Sequence, residues 1–356
     1  MNHYEVIHLL ESQHTSIRDD VVAATMNNPF WRERFGEEVY QKIIFDTEHN
    51  LATLMKAIRY QSPMILSDYI LWLRKTLVDL RCSTGMVRET FFYIWNAVAH
   101  NLPADAHTMI YQYIQLATQK LNYSKELTTQ LGVAHEKLAE ALTRQTYDAH
   151  WHWQMAYGPD GRAQLRHDTW LCIDYLIDAV GMMDEHIMSR HMRWMRERAV
   201  QRGLTTVHVQ HFLWFMSTVI ESQLPAHTIG EAQRILQASS FALMYEEPAY
   251  QALLEAQNAL VGNVVHRLGT SAGSARPDQL AMEVGWYVAY LGETLVHPNT
   301  NRLSIYSQWL KQHLSMPAAT LNAHYSALLE ALAQHLPTDT ARQAAKLVQA
   351  AQRVAQ

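Results

Sequence analysis

Apolar positions recur at three- and four-residue steps along most of this chain. From Ile65 to Leu80 they fall at Ile65, Leu66, Tyr69, Ile70, Leu73, Leu77 and Leu80, the spacing of one helix face. In front of this stretch, Ser62-Pro63 joins a residue able to cap a helix to a proline suited to the first turn. The pattern predicts helices over residues 3–26, about 37–58, 63–80, 84–102 and about 105–121. Asn27-Asn28-Pro29 ends the first of these. Leu102-Pro103 ends the fourth, because a residue ahead of proline is pushed out of helical geometry. Alternating β-branched runs are few, so almost no sheet is expected.

The same plan is legible three times. Trp72, Trp194 and Trp309 hold one place in it, at spacings of 122 and 115 residues. Twenty-six residues before each Trp is an acid (Asp46, Asp168, Glu283), and ten before each acid is a glycine (Gly36, Gly158, Gly273). Ten residues before each Trp is a capping residue, Ser62, Asp184 or Asn299. Leu102-Pro103, Leu224-Pro225 and Leu336-Pro337 follow, the third three residues early. The expected architecture is therefore all-α: three tandem copies of a unit of roughly 110–120 residues and about five helices. Their bounds are residues 1–122, 123–248 and 249–356. The recurring Trp and the periodic Leu, Ile and Met are expected to fill a core. Arrays of this kind offer grooves between units.

Composition narrows the function classes. The 356 residues are 48% apolar and 18% charged, as in ordinary globular chains, and only 13 Gly and 10 Pro interrupt them. A net charge of −5 argues against a nucleic-acid partner. The one basic run, Arg190, Arg193, Arg196, Arg198 and Arg202, reads as a solvated helix face. Two cysteines, Cys82 and Cys172, imply no disulfide framework. The N-terminal segment lacks the apolar core of a signal peptide, and no stretch has the length of a membrane span, so a cytoplasmic protein without membrane contact is expected.

Histidine is the outlier, at 20 residues. Glu11-x-x-His14 and Asp46-x-x-His49 each put a carboxyl and an imidazole on one helix face, as Glu5-x-x-His8 and, at one further step, Asp148 and His152 also do. Di-iron bundles use such pairs, which makes Glu11, His14, Asp46 and His49 candidate metal ligands. His150, His152 and Trp153, with His208, His211 and His191, form the densest imidazole and aromatic set, candidates to hold haem with a His as axial ligand. Surface pairs, caps and a packed aromatic core explain the same residues without iron or haem. Gly269-Thr270-Ser271-Ala272-Gly273 matches the nucleophile elbow G-x-S-x-G, but it follows a helical pattern where that motif needs a strand. There is no P-loop, no G-x-G-x-x-G and no zinc-type Cys spacing.

Asp46, Leu51, Leu54, Tyr69, Trp72 and Leu73 together form a pattern that resembles an all-helical segment found beside cobalamin-binding domains in bacterial regulatory proteins. The cobalamin motif itself is absent: Asp105-Ala106-His107 is its partial echo, with Ile110 where it needs Gly. The resemblance implies a sensory or regulatory helical module and transfers no catalytic residue. The function expected from the whole sequence is a non-enzymatic binding protein, a sensor or adaptor holding a small ligand or a protein partner between units. The alternative is a His- and carboxylate-ligated metal or haem protein, such as a di-iron oxidase.

Overall fold

The computed structural model describes residues 1–158, 161–269 and 276–356. Among them it contains α-helices and one 3-10 turn, and no strand. In chain order the first seven helices are α1 (His3–Ser12), α2 (His14–Met26), α3 (Pro29–Phe35), α4 (Val39–Arg59), α5 (Pro63–Asp79), α6 (Thr84–Asn101) and α7 (Ala104–Gln119). Then come α8 (Glu126–Ala149), α9 (Trp151–Tyr157), α10 (Gly161–Met182), α11 (His186–Gln201), α12 (Thr206–Gln223) and α13 (Ile229–Phe241). The last five are α14 (Pro248–Gly269), α15 (Pro277–Val296), α16 (Arg302–His313), α17 (Ala318–His335) and α18 (Thr338–Ala355).

The chain forms two compact units. Unit 1 comprises Met1–Ala141, Arg166–His191 and Ile220–Ile235; unit 2 comprises Leu142–Leu165, Met192–Val219 and Leu236–Gln356. In unit 1, α2 packs on α4 and α6, α5 packs on α7, and α6 on α7. Leu10, Ile17, Leu51, Leu54, Leu66, Ile70, Phe91 and Ile110 are sealed between them. In unit 2, α14 packs on α15 and α17, α16 on α18, and α17 on α18, the same pattern of partners. Its core includes Leu260, Val284, Leu291, Leu303, Tyr325 and Leu332. Leu171–Val180 of α10 and Trp286–Leu295 of α15 are continuous buried runs. Both runs are mostly apolar and sit in a core, although the first carries buried Asp174 and Asp178 and the second buried Glu293.

Helix ends follow local chemistry. Asn2 and Glu5 form a reciprocal capping box on α1, with hydrogen bonds of 3.0 and 2.8 Å. Asn28 caps Phe30 N–H ahead of Pro29. Arg81 (φ 65°), Gly203 (φ 89°) and Ser315 (φ 50°) are left-handed. After the first two, the chain turns back through Cys82 N–H to Leu77 carbonyl and Leu204 N–H to Ala199 carbonyl, which satisfies carbonyls a helix end leaves open.

Several expectations need correction. The predicted helix over 3–26 breaks at Gln13, and Trp31 and Trp153 begin or sit in short helices of their own. Asp184 does cap, accepting from His186 N–H at 2.9 Å. Asn299 does not: it lies in the 3-10 turn Pro298–Thr300, and left-handed Asn301 precedes α16. The recurring Trp is not a core residue in α5, because Trp72 lies on the outer side of that helix and is 57% exposed. Trp153, which is not one of that recurring set, is fully buried. Most of the G-x-S-x-G motif, residues 270–273, lies outside the described residues.

Candidate functional site

A single polar contact set is built twice from residues at matching spacings. In unit 1 the first N–H of α6, at Thr84, donates to Asp178 Oδ2 at 2.6 Å, and Tyr123 hydroxyl donates to Asp178 Oδ1 at 2.7 Å. Tyr175 hydroxyl donates to Arg81 carbonyl at 2.8 Å. In unit 2 the first N–H of α12, at Thr206, donates to Glu293 at 2.5 Å, and Tyr245 hydroxyl donates to Glu293 at 3.0 Å. Tyr290 hydroxyl donates to Gly203 carbonyl at 3.0 Å. Each acid is buried at a helix N-terminus, where open N–H groups and the helix dipole favour a carboxylate. Burial raises the pKa of Asp178 to about 6, against the lowering by its bonds to Thr84 and Tyr123.

Beside the first of these sets lies a cleft of about 430 Å³ in unit 1. Its walls are Gly85 and Arg88 from α6, Asn122 and Tyr123, Thr128 to Glu136 along α8, and Trp170, Asp174 and Ile177 of α10. His135 and Asp174 are 8% and 4% exposed. His135 Nε2 stands 3.3 Å from Asp174 Oδ1, outside hydrogen-bond geometry, and both imidazole nitrogens and Asp174 Oδ2 are buried without a hydrogen bond. Buried polar atoms without a hydrogen bond are costly unless a further group meets them. Trp170 meets the His135 ring edge to face at 4.5 Å, and its indole N–H donates to Glu136 at 3.1 Å. Glu136 also pairs with Arg166 at 2.7 Å, so the indole is held by a neighbouring wall residue that is itself anchored. Arg88 donates to Leu121 carbonyl and Asn122. The hydroxyls of Tyr123, Thr128 and Thr129 are committed to Asp178 and to Lys125 carbonyl. The cleft thus offers buried binding groups and an aromatic wall, while its hydroxyls are already occupied.

The corresponding place in unit 2 is filled. There the lining is Val207, Tyr250, Leu253, Leu254, Gln257, Val288, Ala289, Gly292 and Glu293, and the space left is about 20 Å³. Spacings of 122 match Gly85 with Val207, Thr128 with Tyr250, Gly132 with Leu254 and His135 with Gln257; spacings of 115 match Trp170 with Gly285 and Asp174 with Ala289. The Tyr–acid–helix contact is common to both places. The His, Trp and second acid belong to the open one alone. Gly85 completes the difference, since a side chain there would collide with Asp174 carboxyl.

The expected imidazole cluster does assemble, in unit 2. His150 Nε2 lies 3.1 Å from His211 Nδ1, and the His152 and His208 rings are 4.7 Å apart. Trp153 borders His208 at 6.3 Å. His191 is not a member: it belongs to unit 1, stacks on Tyr175 at 3.8 Å and meets Cys172 Sγ at 3.4 Å. Thr205 N–H donates to His208 Nδ1 at 3.0 Å, which fixes the proton of the neutral ring on Nε2 and leaves no lone pair there for iron. The rings pack on one another, with Trp151 on His152 at 3.7 Å, Trp151 on Trp309 at 3.8 Å and His208 on Trp286 at 4.2 Å. Burial lowers the pKa of His152 to about 3 and of His150 to about 4, each helped by a neighbouring imidazole. It holds His208 well below the ordinary value and lowers His211 as well.

The candidate metal ligands do not assemble. Glu11 is taken by Arg59 at 2.6 Å, and His49 packs its ring against Tyr69 at 5.4 Å. Asp46 lines a cavity of about 60 Å³ with Trp31, Phe35 and Leu77, and His14 stands half-buried near the start of α2. Among the described residues, no group of three or more His, Cys, Asp or Glu side chains is placed to hold a metal ion. Nor is any helix among them long and apolar enough to cross a membrane.

No protein-family model, curated protein or solved structure matches the chain. His135, Asp174 and Trp170 were missed by motif reading, because none belongs to a recognisable spacing. The signal available was contrast between the aligned stretches: a His, a Trp and an acid stand where the later stretch has Gln257, Gly285 and Ala289.

Proposed function

We propose that the chain is a non-enzymatic binding protein of three tandem helical repeats, and that it holds a small ligand in the cleft that residues 85–136 and 170–177 form within unit 1. The carrying observation is the contrast between one groove of about 430 Å³, lined by buried His135 and Asp174 that meet at 3.3 Å without a hydrogen bond, and its counterpart of about 20 Å³. Packing alone is served by Tyr250, Leu254 and Ala289 in the counterpart, so the polar set of the open groove answers to something else. The tandem reading is supported by the polar contacts, left-handed residues and helix partners that recur at the sequence spacings. The resemblance of the Asp46–Leu73 segment implies a sensory or regulatory helical module and transfers no catalytic residue, which is compatible with this reading. The committed hydroxyls favour binding over catalysis.

The test is Gly132→Leu, which places in the cleft the residue that fills the counterpart. A Cβ at Gly132 meets nothing within 4 Å, so the change fills space without strain. Wild type and variant are equilibrated with a small-molecule cell extract, washed and denatured, and the released compounds are identified by mass spectrometry. A compound released by wild type and absent from the folded variant supports the proposal. Identical release from both contradicts it.

A further inference from the structure

We infer that the cleft ligand presents a nitrogen cation (an ammonium, amidinium or guanidinium) on a flat or apolar stem. This rests on the reading of the cleft as the binding site and adds the chemistry of its occupant. Asp174 and Asp178 stand one turn apart on α10, and both are buried. The α6 N-terminus and Tyr123 answer Asp178. No hydrogen bond answers Asp174 Oδ2, and the nearest basic group, His135, stands beside the other oxygen outside bonding geometry. Arg88, the one permanent cation of the lining, turns its guanidinium to Leu121 carbonyl and Asn122 instead. A buried carboxyl met by one imidazole at 3.3 Å and by no hydrogen bond on its second oxygen is a place where a further positive partner would be favoured.

Trp170 supplies the second half of the recognition. Its indole is held by Glu136 and forms one wall of the same cleft as Asp174. A carboxylate with an indole face beside it attracts cations by charge and by the ring quadrupole together. His135 adds a second buried polar side chain to the same wall. The counterpart groove removes all three features at once, with Ala289, Gly285 and Gln257 in their places. None is therefore required to join helices of this kind.

The experiment is a thermal-shift and calorimetry screen of the full chain against a charge-balanced small-molecule library. The library includes agmatine, tryptamine and choline, with indole-3-acetate, succinate and indole as anionic and neutral counterparts. Wild type is compared with Gly132→Leu, with Asp174→Asn, and with Asp148→Asn at an exposed site as control. The expected result is that hits lost in Gly132→Leu are cations and that Asp174→Asn weakens them about tenfold or more, as loss of a charge-assisted contact would. Trp170→Leu should weaken the same hits, and Asp148→Asn should leave them unchanged. Anionic or neutral hits that Gly132→Leu removes would overturn the cation and leave the cleft standing. A screen in which no hit depends on Gly132→Leu would overturn both. Circular dichroism and melting of each variant separate loss of binding from loss of fold.

Discussion

Acid should weaken unit 2 through the imidazoles buried between α9, α12 and α15. His152 and His208 are 1% and 0% exposed. The neutral ring of each is favoured in the fold, with His152 lowered to about 3 and His208 well below its ordinary value. The unfolded chain titrates near 6.5, so as pH falls below that value the unfolded state takes up protons that the folded state refuses. The stability contributed by neutral burial is complete above pH 6.5 and is lost as pH falls toward the folded values. At pH 5, a histidine with a folded pKa under about 4 has cost roughly 2 kcal/mol relative to pH 7.5. His208, lowered by burial in the same direction, adds to that loss. Asp178 works the other way: its pKa is raised to about 6, so its contribution is present at low pH and fades as pH rises through 6. A comparison of wild type with His152→Phe cancels that opposing effect. Phenylalanine keeps a ring against Trp151 and Trp286 without a titrating nitrogen. Urea unfolding at pH 7.5 and 5.0 should show the variant losing about 2 kcal/mol less than wild type across the interval. Equal losses would refute the buried-neutral assignment of His152.

Other substitutions follow from the same contacts. Glu293→Ala leaves Thr206 N–H and Tyr245 hydroxyl without their acceptor and should cost about 2–4 kcal/mol in chemical denaturation, with Tyr245→Phe costing about 1. Trp153→Ala, at a fully buried site, should cost about 3–5 kcal/mol, while Trp72→Ala at 57% exposure should stay within about 1, as thermal melts would show. Gly85→Ala should displace Asp174 carboxyl and abolish ligand release from the cleft with little change in the circular dichroism spectrum.

The helical class was legible because apolar spacing and proline punctuation are local signals, and α5 and α6 begin within a residue or two of where Ser62-Pro63 and Ser83-Thr84 put them. The recurrence of Trp72 at Trp194 and Trp309 did not fix the environment of Trp72. Helical periodicity gives a face, and on α5 that Trp lies outside it. The imidazole cluster was partly legible because His150, His152, His208 and His211 are close in sequence pairs. His191 misled, since proximity along α11 says nothing about which side of the helix a residue takes. The cleft was illegible to motif reading. It arises where Gly85, Gly132, His135, Trp170 and Asp174 meet from three helices, and no spacing encodes that meeting. Asn299 failed as a cap because it lies inside the 3-10 turn Pro298–Thr300, and the chain enters α16 two residues later through left-handed Asn301.

Native mass spectrometry of the intact chain after incubation with a small-molecule extract tests the central claim most directly, because it counts ligands. The account predicts one bound molecule per wild-type chain, since one groove is open and its counterpart filled, and none on Gly132→Leu. Two bound molecules per chain, or the same occupancy on the filled variant, would contradict it.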